Sequence, residues 1–453
     1  MKKSYASAAC LTPPMPSETL QSGVTLSRFS RSIFWATKGS LSVLDQGLIA
    51  TSNFVIGLLL ARWLSPGEYG SYALVFSVFL LLSLSSQALL LEPQRIFGPS
   101  DYADSQNEYL GILLWINSWL GLAILVALGT AACLMRLLSR SDGLPGALAG
   151  GMFAVPCVLL FWLARGACYV RMSPQQAVKG AATYCTVVFT ALTLVYKLNL
   201  LSPFSAFLVM GLAALTSSAF LLVRLRPVLK RSVNGPSRAV VCQQHWEYGR
   251  WMLVGLILSW ISSEIYYPLL TIFSGVAAAG VLKVLLSFNL PLVQGFAALS
   301  LFLLPYSSRL YHEKGIAALT DFAWKVTGLF AAAAVAYWAV AILLSRPLIQ
   351  SLYGARYSEV SSQMPLLAAA SFPWNVAVAP MIVLRVLRFS SSIMGIYCAC
   401  SAVAIVIGIP AAKVFGMRGA LSAMGLSYLA ALIVACALTS RALRRAATAE
   451  QTP

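Results

Sequence analysis

Twelve apolar runs, each about as long as a bilayer is thick, leave this chain one place to fold. They cover residues 39–61, 72–91, 110–135, 146–163, 180–196 and 203–223 in the first half, and 251–273, 277–304, 326–345, 364–384, 393–412 and 419–439 in the second. A helix rising 1.5 Å per residue needs roughly 20 residues to cross about 30 Å of hydrocarbon, where every backbone N–H and C=O must be bonded internally. The expected fold class is therefore an all-α membrane protein with about 12 transmembrane helices. A chain that is 59% hydrophobic and 10% charged is excluded from the soluble globular class, where about 25% charged residues is usual.

The Lys and Arg residues fall unevenly between the runs. The N-terminal segment and every second connection carry 5, 1, 3, 6, 3, 2 and 3 of them, 23 in all, whereas the other connections carry eight: Arg62, Arg136, Arg140, Lys197, Arg346, Arg356, Lys413 and Arg418. Short loops rich in Lys and Arg stay in the cytoplasm, so both termini are expected there. The net charge of +18 reads as cytoplasmic anchoring beside anionic lipid rather than as a nucleic-acid surface, and no nucleic-acid partner is expected.

The longest hydrophilic connection divides the runs six and six. The expected organisation is a cytoplasmic N-terminal tail (1–38), a six-helix lobe (39–223), a cytoplasmic linker (224–250), a second six-helix lobe (251–440) and a C-terminal tail (441–453). An internal echo accompanies this division: Ser65-Pro66-Gly67-Glu68-Tyr69-Gly70 follows the first run, and Gly275-Val276-Ala277-Ala278-Ala279-Gly280 follows the seventh. In each a small-residue turn precedes a Gly early in the next helix, and Pro93 and Pro305 end the runs that follow. Because six is even, both halves enter from the same side, which implies a parallel repeat about the membrane normal and a central cavity between two lobes.

Within the runs stand three ionisable side chains: Asp45, Glu264 and Lys283. Insertion of a charge into hydrocarbon costs at least about 2.5 to 3.5 kcal/mol, so such groups face protein or water. Asp45 lies near the N-terminal end of its run, where the helix dipole also favours a carboxylate. Glu264 and Lys283 lie roughly 13 Å and 9 Å from the outer ends of theirs, close enough in depth to meet. Two roles are open to them: a salt bridge locking the seventh and eighth helices, or a watery site in which Lys283 faces an anionic substrate and Glu264 tunes it or takes up a coupling ion. Gln46, Asn53, Asn289, Gln294 and Asn375 add uncharged polar groups suited either to that site or to interhelical hydrogen bonds. Pro291, Pro365, Pro373 and Pro380 are expected to kink their helices.

Several chemistries are not signalled. There is no Gly-rich phosphate loop ending in Lys-Ser or Lys-Thr, so ATP hydrolysis at such a loop is excluded. His245 and His312 fall in expected cytoplasmic connections without metal-site spacing and read as solvated; no metal and no cofactor is expected. The nine cysteines are scattered mainly through apolar runs, and Cys398 and Cys400, two apart, point to different helix faces. Ser7-Ala8-Ala9-Cys10 is superficially like a lipoprotein cleavage box, but no apolar run precedes it. No connection is long enough for a soluble catalytic domain, and the chain is not expected to be an enzyme.

Leu44-Asp45-Gln46-Gly47 together with Leu60-Ala61-Arg62-Trp63-Leu64-Ser65-Pro66-Gly67-Glu68-Tyr69-Gly70 resembles the opening of bacterial polysaccharide exporters. These are the O-antigen and exopolysaccharide repeat-unit flippases of the multidrug/oligosaccharidyl-lipid/polysaccharide exporter superfamily. Glu264 falls where members often carry an acidic residue, although Ile265 stands where a basic residue is frequent. The resemblance implies a multi-pass protein of the bacterial inner membrane that moves an undecaprenyl-pyrophosphate-linked oligosaccharide to the outer leaflet by alternating access. Partners would be that polyprenyl-linked oligosaccharide, membrane lipid and other polysaccharide-assembly proteins. Pyrophosphate needs cationic partners, and Lys283 and Arg62, with Arg165 and Arg385 at cavity mouths, are the candidates. A drug or small-solute exporter is the first alternative. A polysaccharide polymerase or ligase is the second, although such enzymes need a long outer loop and the outer loops here are short.

Overall fold

The computed structural model describes residues 28–138, 143–229, 235–387 and 389–451. Residues 1–27 of the expected N-terminal tail, Arg140, and the linker bases Lys230 and Arg231 lie outside the described residues. Every described element is helical: α1 (Arg28–Trp63), α2 (Pro66–Ser86), α3 (Glu92–Phe97), α4 (Gln106–Leu138), α5 (Leu144–Val170), α6 (Pro174–Lys197), α7 (Pro203–Leu225), α8 (Arg238–Glu264), α9 (Tyr266–Ser274), α10 (Val276–Ser287), α11 (Leu290–Leu343), α12 (Ser345–Tyr353), α13 (Met364–Val386), α14 (Ser390–Val406) and α15 (Gly408–Gln451). A π turn at Gln87–Leu91 joins α2 to α3, and a 3-10 segment, Ala355–Gln363, follows α12.

By length and apolarity alone, nine described helices can cross a membrane, or ten with the α8–α9 pair, bent by 42°, counted as one. Two of the nine are each folded back at a glycine. Gly315 (φ 74°) interrupts α11 and Gly416 (φ 55°) interrupts α15, in left-handed backbone that only glycine adopts without strain. Residues 276–314 then form one pass, bent at Phe288–Asn289 just before Pro291, and 316–343 form another. Residues 390–415 and 417–451 separate in the same way, and the total becomes twelve. The chain is a multi-pass membrane protein with a two-lobed, all-helical fold.

Local chemistry starts these helices where they start. Ser65 caps α2: its Oγ accepts from the Glu68 N–H at 3.3 Å, and Glu68 Oε2 accepts from the Ser65 N–H at 2.9 Å, with Pro66 at the first helical position. This reciprocal pair satisfies two of the donors a helix N-terminus leaves open. Ser202, Pro203 and Ser205 open α7 in the same manner. Elsewhere the helices outrun the apolar runs. α1 already begins at Arg28, inside the expected tail, and α8 begins at Arg238, inside the expected linker. Pro373 and Pro380 sit within a continuous α13 rather than breaking it.

The two lobes repeat the same packing. In the first, Gly211 of α7 lies against α5, so close that a Cβ there would stand 2.9 Å from the Ala154 Cα; in the second, Gly425 of α15 lies against α13, 3.0 Å from the Ala370 Cα. Small residues at these crossings let backbones approach, which matters in lipid because there is no hydrophobic drive between helices. The lobes meet where the sequence echo predicts equivalence. Gly70 and Gly280 are each the fifth residue of their helix, α2 and α10, and they pack together: a Cβ on Gly70 would stand 2.0 Å from the Val276 carbonyl, and one on Gly280 would stand 3.0 Å from the Gly70 nitrogen.

Candidate functional site

Starting at that glycine crossing, α2 presents Tyr69, Tyr72, Phe76 and Phe79, spaced three and four apart and therefore on one face. Neighbouring rings along the stripe stand 5.5 to 6.0 Å apart. Lys283, one turn past Gly280 on α10, lands on it. Its Nζ lies 3.8 Å from the Phe76 ring centroid and 5.4 Å from that of Tyr72. A desolvated ammonium on aromatic faces gains about 2 kcal/mol. Among the described ion pairs none joins Lys283 to a carboxylate. Glu264 lies in the same layer, at the α8–α9 bend, where its carbonyl accepts from the Ser77 hydroxyl at 3.4 Å and the Trp260 indole donates to the Ser77 carbonyl at 3.0 Å. The two charges expected to meet thus share one interface layer without a direct salt bridge, each anchored on α2.

Asp45 and Arg165 form a separate cluster inside the first lobe. Arg165 and Tyr169 are four apart on α5 and point the same way. The Arg165 Nε donates to both Asp45 oxygens at 2.9 and 2.8 Å, and Nη2 lies 2.7 Å from Oδ2, off the hydrogen-bond direction. The Tyr169 hydroxyl donates to the same carboxylate. Asp45 is fully buried and the Arg165 side chain is 10% exposed. Arg165 therefore lies within α5 and is paired, where the sequence places it at a cavity mouth: α5 continues to Val170, past the end of the apolar run.

The remaining candidates do not converge. Gln46 and Asn53 are exposed on α1, on a stripe continued by Ala50 and Gly57, while Asp45, Ser52 and Ile56 on the other side are buried. Arg62 is exposed at the C-terminal end of α1, and Arg385 is exposed near the C-terminal end of α13. Asn289 is half-buried at the bend between α10 and α11, and its buried Oδ1 has no partner. Asn375 is buried on α13 with Nδ2 unpartnered.

His245, expected to be solvated, is instead 3% exposed. Its Nδ1 is 2.7 Å from the Leu89 carbonyl and its Nε2 2.7 Å from the Tyr109 hydroxyl. Beside it the Tyr102 hydroxyl donates to Gln244, and Gly249 packs on the Ala88 carbonyl. Pro93 is the signal that sequence reasoning passed over. In an α-helix the Leu89 carbonyl takes its hydrogen from residue 93, and proline has none to give; the π turn leaves that acceptor for a side chain of α8. With Lys283, Trp260 and His245 all engaged, the α2 side of the lobe interface is joined along its length, from Tyr72 to Leu89.

No family model matches the chain by sequence, and no curated protein matches it. Solved structures share its fold. The inward-facing conformation of a multidrug resistance MATE family transporter of the MOP superfamily aligns with a TM-score of 0.73 at 12% identity, over 91% of this chain and 99% of that one. A MATE multidrug transporter captured in complex with a ligand aligns at 0.65 and 12% identity, over 89% and 95%. A MOP superfamily transporter from Pyrococcus furiosus, described as having a binding pocket of reverse polarity that suggests a different function, aligns at 0.60 and 12%, over 89% and 94%. The fold is MATE-like.

Proposed function

We propose that this chain is a bacterial inner-membrane translocase, both termini cytoplasmic, whose two lobes rock to carry an anionic headgroup tethered to lipid across the bilayer. The cargo that fits is an undecaprenyl-pyrophosphate-linked oligosaccharide destined for surface polysaccharide, delivered and consumed by other assembly proteins. One observation carries the reading: at the interface between the lobes the charge held on ring faces, without a contacting carboxylate, is cationic, while the buried carboxylate Asp45 is matched by Arg165. A pyrophosphate would find Lys283 there, beside the Glu264 carboxylate that offsets part of its charge, with Arg385 exposed near one end of α13 and Arg62 at the C-terminal end of α1. The polar stripe of Gln46 and Asn53 on α1 supports a wet slot, since amides facing acyl chains would lose their hydrogen bonds. An inside-negative potential assists outward movement of an anion by about 2.3 kcal/mol per charge per 100 mV.

The test is glycan output. In cells lacking the chain, Lys283→Met at normal protein level should restore less than about a tenth of wild-type surface polysaccharide, with lipid-linked units retained on the cytoplasmic leaflet, and Lys283→Arg should restore more than Met. Unchanged output in Lys283→Met removes the lysine from the mechanism.

A second reading, a drug or small-solute exporter, is favoured by the solved neighbours, which are multidrug transporters, one of them holding a ligand. The fold likeness weighs more toward this reading than toward the glycolipid one. Efflux of a fluorescent dye such as ethidium from cells that express the chain, with no effect on surface glycan, would establish it.

A further inference from the structure

At one end of the molecule the two lobes are tied by a side chain that the site above does not use. Arg356 lies in the 3-10 segment after Gly354, between α12 and α13 of the second lobe. Its Nη1 donates to the Leu64 carbonyl at 2.6 Å and its Nη2 to the Arg62 carbonyl. These are carbonyls at the C-terminal end of α1, in the first lobe. A helix end leaves its last four carbonyls without internal donors and carries partial negative charge, so a guanidinium fork suits it in both geometry and sign. The first lobe contributes only backbone to this contact.

Behind the fork stands a plug. Tyr357 is 2% exposed and meets Tyr69 of α2 edge-on, with centroids 6.4 Å apart; Tyr353, also 2% exposed, meets Tyr357 at 6.4 Å and shares a 2.6 Å hydrogen bond with Ser287 of α10. Next to the plug α2 and α10 cross at Gly70 and Gly280. The fork, the Tyr357–Tyr69 contact and the glycine crossing join one lobe to the other at the same end of the molecule, and any opening of that end must break them together.

We propose that Arg356 is the latch of the outer gate. Its fork on the end of α1 holds the lobes closed outward, and its release is the step that lets the outer end part. The inference rests on rocking lobes but not on which cargo they carry.

The experiment reads gate opening directly. All nine cysteines are replaced, and Ala73→Cys, fully buried on α2 one turn inward of Gly70, reports access to a membrane-impermeant maleimide applied from outside. Glu359→Cys, exposed on the outer segment, serves as the control for reagent reaching the protein. Arg356→Ala should raise labelling of Ala73→Cys about ten-fold, the equivalent of ~1.4 kcal/mol. Arg356→Lys, which reaches one carbonyl at a time, should fall between; it carries the test if the Ala variant does not accumulate. Labelling unchanged in both variants overturns the latch. Glycan output and dye efflux are measured in parallel: a labelling increase with neither activity present in the parent chain leaves the latch standing and sinks the transport reading instead.

Discussion

Buried charge decides most at the scale of single residues. Asp45 and Arg165 neutralise each other inside the first lobe, and taking one partner from such a pair strands the other, at a cost of about 3–5 kcal/mol, whereas replacing both with apolar residues of similar size is often neutral. Asp45→Ala should therefore lower the thermal midpoint of the detergent-purified protein by several degrees, and Asp45→Leu with Arg165→Met should recover most of the loss. If the double variant is also fully active, the pair is structural; if it is stable and inactive, the carboxylate takes part in transport. Lys283 differs because the contacts that hold its ammonium are ring faces on the opposite lobe, with the Glu264 carboxylate in the same layer acting on it through space rather than through a salt bridge.

Helices are placed by signals of a few residues, and their crossings by the smallest side chains. Gly70 is the sharpest case, since a methyl group there would stand 2.0 Å from the Val276 carbonyl and the backbone would have to move to admit it. Gly70→Ala should separate α2 from α10 and lower stability by more than about 2 kcal/mol, in the manner of overpacking; Gly280→Ala, with its nearest atom at 3.0 Å, should cost less. Comparing the thermal midpoints of the two variants checks the order, and equal midpoints would contradict the crossing described. The matched depth of these glycines was legible in the sequence as an echo of two turns. Their contact was not, because a repeat states equivalence and not adjacency. The Ser65–Glu68 capping box was likewise readable in advance, as Ser-x-x-Glu before an apolar run. The α8 docking surface was half-readable: Pro93 announces an acceptor without its donor, but nothing local says that His245 supplies it.

For the whole molecule, the asymmetry of basic residues yields a topological prediction. Single cysteines placed at Lys314, in the turn before Gly315, and at Arg418, just after Gly416, should face opposite sides. An impermeant reagent applied to intact cells should label position 418 and spare 314, and labelling of both from outside would reverse or break the assigned order. The twelve passes themselves follow from run length, because the thickness of hydrocarbon is a local requirement on each helix and does not wait for partners. Nine or ten long apolar helices become twelve passes only when Gly315 and Gly416 are recognised as turns, which their backbone angles require.

From the amino-acid order alone came the all-helical class, the six-and-six division and the three charges within the apolar runs, since each depends on composition within a helix or a connection. Tertiary structure alone decided which charges cancel and which stay open: Asp45 meets Arg165 across 120 residues, His245 meets the Leu89 carbonyl across 156, and Arg356 reaches the end of α1 across 292 or more. In a low-dielectric interior a polar group must find its partner wherever the fold brings one, and that pairing is a property of two lobes packed together rather than of either segment.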